Sequence, residues 1–293
     1  MPIERFPFLA QRMFNVPLAI SEAKANAVIA ALGDRLGLTQ PEGARPAAFL
    51  FDDDEDDAPP PRRATGYDVV QGVAVIEVSG ILVQKSGYLR PLSGMTGYDG
   101  LRTNFAMALA DEDVQSIAFL IDSPGGEVAG LFDLVDSIYA ARGQKPIRAI
   151  LDESAYSAAY AIASATDHIS VPRTGGAGSV GVITMLVDYS RAVRAAGLTV
   201  HFVHYGERKA EESRASYQGV TPELLNRIQA DVDAMGALFT ETVARNRGLS
   251  RTIVRNWEAD TFLGEQGVRN RLADALAAPD AAFLALLADL DAA

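Results

Sequence analysis

The chain has 293 residues, of which 48% are hydrophobic and 22% charged, and it contains no cysteine. This composition suits one large or two ordinary domains with a buried core, and it excludes global disorder. Without cysteine, the chain forms no disulfide, thiolate zinc site, iron–sulfur cluster or cysteine nucleophile. The 38 acidic residues outnumber the 26 basic ones, which gives a formal net charge of −12 and argues against nucleic acid as a partner.

The first 66 residues are predicted to lie outside the main domain. Residues 1–51 are predicted to be a helical segment, with Ser21 as a helix cap, because apolar residues then recur at three- and four-residue spacing. Residues 52–66 form an acidic and then proline-rich linker, since acids repel one another and consecutive prolines cannot pair. No apolar run long enough to span a membrane and no secretory signal is evident, so we expect a cytoplasmic protein.

From residue 67 onward the sequence alternates between apolar runs and helical patterns. Strands are predicted over 69–83, 116–126, 147–153 and 198–206, with two shorter strands around a glycine turn within 167–190. Helices are predicted over 101–114, 127–142, 154–165, 191–197 and 221–247, and again towards the C-terminus. Nearly continuous apolar strands between helices indicate an α/β fold with a largely parallel sheet.

Two sites stand where a strand passes to a helix, which is where α/β folds bind ligands. The two glycines of Ser123–Gly126 (SPGG) leave backbone N–H groups free to converge, as in an oxyanion hole, although a tight turn explains them equally. Ser157 stands among alanines that leave room for a peptide to reach its hydroxyl, although a helix cap or a small core serine is the alternative.

Lys209 is one of only four lysines in the chain. A lysine amine can serve as the base for a serine once burial lowers its pKa from ~10.4. The alternative is a surface lysine in a polar loop, which its charged neighbours favour.

Three other matches carry less weight. Gly176–Gly181 satisfies GxGxxG, but a β-branched run follows it rather than a helix, so a dinucleotide site is not predicted. Ser21–Lys24 satisfies SxxK without the companion motifs of that enzyme class. His168 next to Asp167 could form a triad with Ser157, but nothing in the spacing requires it, and a structural histidine is the preferred interpretation.

Taken in order, four segments together resemble peptidase family S49, which includes the signal peptide peptidase A type and phage head-maturation proteases related to the lambda C protein. They are DSPGG (122–126), SAYSAAYAIASATDHI (154–169), TGGAGSVGV (174–182) and YGERKAEESRAS (205–216). The resemblance covers roughly residues 67–250. It implies a ClpP/crotonase-like fold of repeated β-β-α units over 67–273, with a C-terminal helix over 274–293.

The same resemblance implies a Ser-Lys dyad. Ser157 would be the nucleophile, Lys209 the general base, and Ser179 the hydroxyl that orients the lysine amine. The backbone N–H groups of Gly126 and Ala158, with Gly125 beside them, would hold the oxyanion. The sequence departs from the family pattern in two places. Ala158 and Ala159 stand where the family often has glycines, and Ala210 and Glu211 follow the lysine where an aspartate is common.

The implied function is a serine endopeptidase that processes capsid, portal or scaffold proteins during phage or prophage head assembly. It would use no metal or cofactor, form a homo-oligomer in which a subunit contact can complete the dyad, and act in the host cytoplasm or the prohead interior. Three alternatives stay open: a soluble peptidase like signal peptide peptidase, an acyl-CoA-binding crotonase-like enzyme, and an inactive assembly or scaffold factor. The last would use the apolar face of residues 275–293 to dock on a partner.

Overall fold

Three long parallel strands form the centre of the molecule: β3 (Val73–Val83), β5 (Ser116–Glu127) and β6 (Ile147–Tyr156). They belong to a computed structural model that describes residues 17–21, 65–206 and 208–292. Their side chains are mostly buried, because helices cover both faces of a sheet of this kind.

The other strands are β1 (Leu18–Ile20), β2 (Asp68–Val70), β4 (Met95–Gly97), β7 (His168–Val171), β8 (Gly176–Gly178), β9 (Thr261–Leu263) and β10 (Ala275–Leu276). The helices are α1 (Tyr98–Ala110), α2 (Leu131–Ala140), α3 (Ala158–Ser164), α4 (Ser190–Ala195), α5 (Glu211–Gln218), α6 (Pro222–Arg247), α7 (Arg251–Arg255), α8 (Gly264–Arg269) and α9 (Pro279–Asp291).

The main sheet has the order β10-β7-β6-β5-β3-β2. Every neighbouring pair is parallel except β2 and β3, which form an antiparallel hairpin. The hairpin turn places Gln71 and Gly72 at φ values of 49° and 80°, as tight two-residue turns require. The apolar run predicted as strands over 69–83 is therefore two strands joined at Gly72, as its composition indicates.

Each long strand changes partner part-way along its length. The pairing register shifts in β3 between Ser79 and Ile81 and in β5 between Ile121 and Ser123. Towards their C-terminal ends β3 pairs with β4, β5 with β1, and β6 with β8, and the chain then continues into α1, α2 and α3 respectively. These are three bent strands, each leading to a helix, so the predicted α/β fold of repeated β-β-α units is confirmed.

Helices cover the two faces of the sheet unequally. The larger core lies under α1, α2, α3 and α6 and includes the fully buried Phe119, Leu134 and Phe239. On the opposite face α9 buries Ala282 and Leu286 in a smaller cluster with Val73, Ala118 and Ile150. The C-terminal helix is present as predicted. Its apolar face packs on the sheet of the same chain and is not left open for docking on a partner.

Three local predictions were wrong. Ser123–Gly126 is not a turn before a helix, because β5 continues to Glu127 and α2 begins only after Gly130, whose φ is 81°. Residues 198–206 form no strand. Leu18–Ile20 is a strand in a segment predicted to be helical.

The predicted N-terminal helix and the linker fall almost entirely outside the described residues, so the proposed domain boundaries stay predictions. Within the described ranges, no helix combines the length and apolar character needed to cross a membrane.

Candidate active site

Ser157 occupies the single residue between β6 and α3. Its backbone has φ 53° and ψ −116°, a left-handed conformation that is strained for any residue with a side chain. Two backbone hydrogen bonds hold it there: its N–H donates to the Gly178 carbonyl at 2.8 Å, and its carbonyl accepts from the Ala161 N–H at 2.9 Å. Strained residues of this kind cluster at active sites, because the surrounding structure must hold them in place.

The side chain of Ser157 is fully buried, and its hydroxyl donates to the Gly181 carbonyl over 3.4 Å. Every residue of α3 is buried, and four of its seven residues are alanine. The small side chains let the helix pack closely against the sheet, which fixes the position of the serine at its N-terminus.

Arg142 anchors the other end of α3. Its guanidinium donates to the carbonyls of Ser164, Ala165 and Thr166, at the end of the helix and just beyond it, and to that of Asn246 in α6. Carbonyls at a helix C-terminus have no partner within the helix, so this cap contributes to the placement of α3 and hence of Ser157.

Gly125 lies directly beside the serine. It has φ 102°, and a Cβ added there would lie 3.0 Å from the Ser157 Cβ and 2.9 Å from the Tyr156 carbonyl oxygen. Its own N–H donates to the Ser123 hydroxyl at 3.2 Å, and that hydroxyl in turn donates to the Gly80 carbonyl at 2.7 Å. The Gly125 amide therefore already has an acceptor, which argues against its predicted place as an oxyanion donor.

Gly126 and Ala158 are the remaining predicted oxyanion donors. A Cβ on Gly126 would lie 1.8 Å from the Leu82 carbonyl oxygen, so only glycine fits between the strands at this point. Ala158 is the first residue of α3, and an N–H in the first turn has no acceptor within its own helix.

Ser179 follows β8 and has φ 55°. Its N–H donates to the Asp260 carbonyl at 2.8 Å and its carbonyl accepts from Gly181 at 2.9 Å, so the turn it forms lies against the serine through Gly178 and Gly181. Two glycines of the GxGxxG match, Gly178 and Gly181, thus accept hydrogen bonds from Ser157 through their carbonyl oxygens. Gly176–Gly178 forms strand β8, between β6 and β9, rather than a nucleotide-binding loop.

Lys209 is exposed, in the turn that precedes α5, and its backbone N–H donates to the Gly206 carbonyl at 3.2 Å. In the described part of the chain no hydrogen bond joins the Lys209 amine to Ser157 or Ser179. The fold of one chain therefore gathers the serine and the glycines, but not the predicted base.

The position of His168 excludes a triad of this residue and Asp167 with Ser157. His168 pairs with Arg148 near the start of β6, whereas Ser157 follows the end of that strand, so a strand length separates them. Burial is the main cause that lowers the pKa of His168, and Asp167 accepts the Ile147 N–H at 2.8 Å. Both residues have structural surroundings, as the sequence interpretation preferred. Nor do the described residues contain a group of three His, Asp or Glu side chains that could hold a metal ion.

Sequence reasoning missed one strand at this site. β1 pairs with β5 along Gly125–Glu127, and its residue Leu18 forms an isolated bridge with Ile183. No local signal could have indicated this contact, because it depends on residues far apart in the chain.

Comparison with known proteins places this architecture in context. The family model of peptidase family S49 matches residues 140–292. The head-tail preconnector protein GP5 of Enterobacteria phage P21 is 36% identical over 90% of this chain, and the capsid assembly protease C of Escherichia phage lambda is 32% identical over 99% of it. The aligned region spans 53% of the length of the first relative and 67% of the second.

Among solved structures, ClpP1 from Listeria monocytogenes matches 69% of this chain and 90% of its own, at 10% identity and a TM-score of 0.42, too distant for an argument about function. The assignment rests instead on the family model and the two phage relatives, which agree with the motif order around Ser157. This chain belongs to peptidase family S49.

Proposed function

We propose that this protein is a serine endopeptidase that cleaves capsid or scaffold proteins during phage head assembly, with Ser157 as its nucleophile. The observation that carries the proposal is the strained, buried serine between β6 and α3, beside Gly125, in a chain of a peptidase family. The names of two relatives, a capsid assembly protease and a head-tail preconnector protein, support head assembly as the setting. The protein would act in the host cytoplasm or the prohead interior.

The proposed reaction begins when the Ser157 hydroxyl leaves the Gly181 carbonyl and attacks the carbonyl carbon of the scissile peptide bond. The Lys209 amine accepts the hydroxyl proton, and Ser179 orients that amine. The N–H groups of Gly126 and Ala158 stabilise the negative oxygen of the tetrahedral intermediate. Lys209 then donates the proton to the leaving amine, and a water molecule hydrolyses the ester formed on Ser157.

This mechanism requires Lys209 to approach Ser157, and we propose that a second copy of the chain brings this about. Two apolar side chains close to the lysine in sequence, Val203 and Tyr205, are fully exposed in the single chain. Large apolar side chains at a surface mark contact sites, so the segment that carries the base has the character of a subunit interface. Assembly would cover these side chains and order the lysine.

The direct test measures cleavage of casein by purified full-length variants. We expect Ser157→Ala and Lys209→Ala each to reduce the rate by more than about a thousandfold, as removal of either half of a nucleophile–base pair does. Lys209→Arg should be equally inactive, because a guanidinium keeps its proton over the accessible pH range.

Matched controls separate chemistry from folding. Ser164→Ala removes a serine from the same helix, where its hydroxyl donates to the Ala161 carbonyl at 2.7 Å, and Arg208→Ala removes the positive charge next to Lys209. Both controls should keep most of the activity, with a cost of about 1 kcal/mol in stability for Ser164→Ala. Proteolysis by folded Ser157→Ala at the parental rate would refute the proposed nucleophile.

Oligomerisation provides the second test. Fractions from a sizing column should show activity in the assembled form and little in the monomer, because in the proposed mechanism a second chain brings Lys209 to Ser157. Equal specific activity in the two fractions would refute the subunit-completed dyad and leave Ser157 as the nucleophile of a self-sufficient chain.

A further inference from the structure

β1 lies in a groove that has a hydrogen-bonding edge on each side. On one side Leu18 donates to the Ile183 carbonyl at 2.8 Å and accepts from the Ile183 N–H at 2.9 Å. On the other side β1 runs antiparallel to Gly125–Glu127 of β5, and the Ser21 N–H donates to the Pro124 carbonyl at 2.9 Å. The segment is therefore held along both edges, as an added strand is when a peptide binds to a sheet.

The groove passes directly over the proposed nucleophile. A Cβ placed on Gly125 would lie 2.2 Å from the Ala19 carbonyl oxygen and 3.0 Å from the Ser157 Cβ, so both atoms lie close to one point. Ala19 and Ser157 are each fully buried. With β1 in place, an extended peptide cannot occupy the same hydrogen-bonding edges.

The side chains of β1 also fit the groove. Leu18 and Ile20 are almost completely buried, and between them the small Ala19 is fully buried opposite Gly126. The groove thus accepts an extended segment with a small residue between two large apolar ones. Backbone hydrogen bonds supply affinity in this binding mode, and the alternating side chains supply selectivity.

We propose that residues 17–21 are an internal pseudo-substrate, a segment of the chain that fills the peptide groove beside Ser157 and that a protein substrate must displace. The inference rests on the proposed peptidase function and adds its control and its substrate class: extended segments with the pattern apolar, small, apolar. Only three residues form the strand, so its hold on the groove is limited.

Residues 17–21 belong to the same chain as the main domain, and this helps them compete with a substrate for the groove. Residues 22–64 link β1 to the first described residue of the main domain, and they include the acidic run over 52–57 and consecutive prolines. A segment of the same chain competes intramolecularly, whereas a substrate must bind from solution. A substrate of high local concentration, such as a protein packed in a prohead, can then replace it.

A disulfide across the groove tests the proposal in the full-length chain. Leu18→Cys with Ile183→Cys joins a hydrogen-bonded antiparallel pair, whose Cα atoms typically lie about 5.5 Å apart, within disulfide range. The chain has no native cysteine to interfere. The first readout is binding, in a Ser157→Ala background, of a fluorescent peptide with the sequence of residues 15–22, NVPLAISE, followed by anisotropy.

We expect the oxidised protein to bind the peptide at least about tenfold more weakly than the reduced protein, because the disulfide holds β1 in the groove and so raises its effective concentration. Each single cysteine variant, as the matched control, should show no response to reductant. Equal affinity in the oxidised and reduced forms of the double variant would overturn the proposal, and so would a reduced form that does not bind the peptide at millimolar concentration.

Leu18→Pro gives an independent variant in the opposite direction. It removes the N–H that donates to Ile183, so β1 should leave the groove more easily and the peptide should bind more tightly than to the parent. Unchanged affinity in a variant with parental thermal unfolding would contradict the proposal. If this variant fails to fold, the disulfide pair decides the question alone.

The same disulfide pair with Ser157 intact distinguishes this proposal from the proposed function. Casein cleavage that persists in the oxidised form overturns the pseudo-substrate and leaves the peptidase intact. Peptide binding that switches with reductant, combined with no cleavage in the reduced form, supports a peptide groove that β1 occupies and refutes the peptidase.

Discussion

The sheet that carries Ser157 and the connection that carries Lys209 differ in how they are held. β3, β5 and β6 are mostly buried between four helices on one face and α9 on the other, and the serine lies where β6 meets α3. From 182 to 210 the described chain forms only the six-residue helix α4, and several of its apolar side chains are exposed. One half of the proposed dyad is positioned by the core of its own chain, whereas the other lies in an exposed connection.

Cavity-forming substitutions should show the largest difference between the two regions. Phe119 in β5 is fully buried and packs against Phe105, with ring centroids 5.7 Å apart, whereas Val203 is fully exposed. We expect Phe119→Ala to reduce the free energy of unfolding by about 3–5 kcal/mol. Val203→Ala should change it by less than about 0.5 kcal/mol, as exposed positions do. Urea unfolding of the monomer measures both values.

A test of oligomer formation gives a second comparison of the two regions. Val203→Asp should leave monomer stability unchanged and lower both the oligomer fraction and the cleavage rate, because a charge on a subunit interface costs desolvation. A variant that stays monomeric with full activity would show that the connection does not act through a second chain.

Glycine substitutions should give a smaller but still clear difference. Gly126→Ala places a Cβ 1.8 Å from the Leu82 carbonyl oxygen. The Cβ of Gly197→Ala lies within 4 Å of no atom of the described chain beyond its immediate neighbours, so only the backbone φ of 69° disfavours alanine there. We expect Gly126→Ala to cost about 1–3 kcal/mol or more and to reduce cleavage, since β5 must move away from Ser157. Gly197→Ala should cost about 1–2 kcal/mol without affecting cleavage. Similar losses of activity in both variants would remove the distinction.

The smallest expected effect is on the pH dependence of stability. Burial raises the pKa of Asp274, but hydrogen bonds from Arg247 at 2.6 and 3.0 Å and from the Ile169 N–H at 2.8 Å outweigh it and hold that pKa below its usual value. A carboxyl with a lowered folded-state pKa stabilises the protein above its unfolded pKa of ~3.9, and that contribution is lost as the pH falls through the folded value.

Asp274→Asn should therefore make stability less dependent on pH in the acid range. Denaturant midpoints measured from pH 6 downwards give the comparison. An unchanged slope in the variant would show that this pair does not contribute to acid unfolding.

The helix predicted over 221–247 agrees closely with α6, because residues near its two ends determine where it begins and ends. Thr221 accepts a hydrogen bond from the Leu224 N–H, Pro222 occupies the first turn, and Gly248 ends the helix at φ 60°. Each of these signals acts within a few residues, so no knowledge of the rest of the fold is needed. The buried strands β5 and β6 were predicted for a similar reason, because an apolar run bounded by turns is a local pattern.

Prediction failed where partners far apart in the chain decide the outcome. The run 198–206 has the composition of a strand, yet it pairs with no strand of the described residues. Leu18–Ile20 looked helical from its neighbours, yet it pairs with β5 and Ile183 because two open edges lie there.

The sequence alone determined the α/β class, the long helix and the motif order by which the chain resembles family S49, because periodicity, caps and motif order are properties of neighbouring residues. Only the tertiary structure decided that Ser157 is buried and strained, that Lys209 is exposed in a turn, and that β1 pairs with β5 and Ile183 beside the serine. Strand pairing and burial are contacts between distant parts of the chain, so they exist only once the sheet has formed.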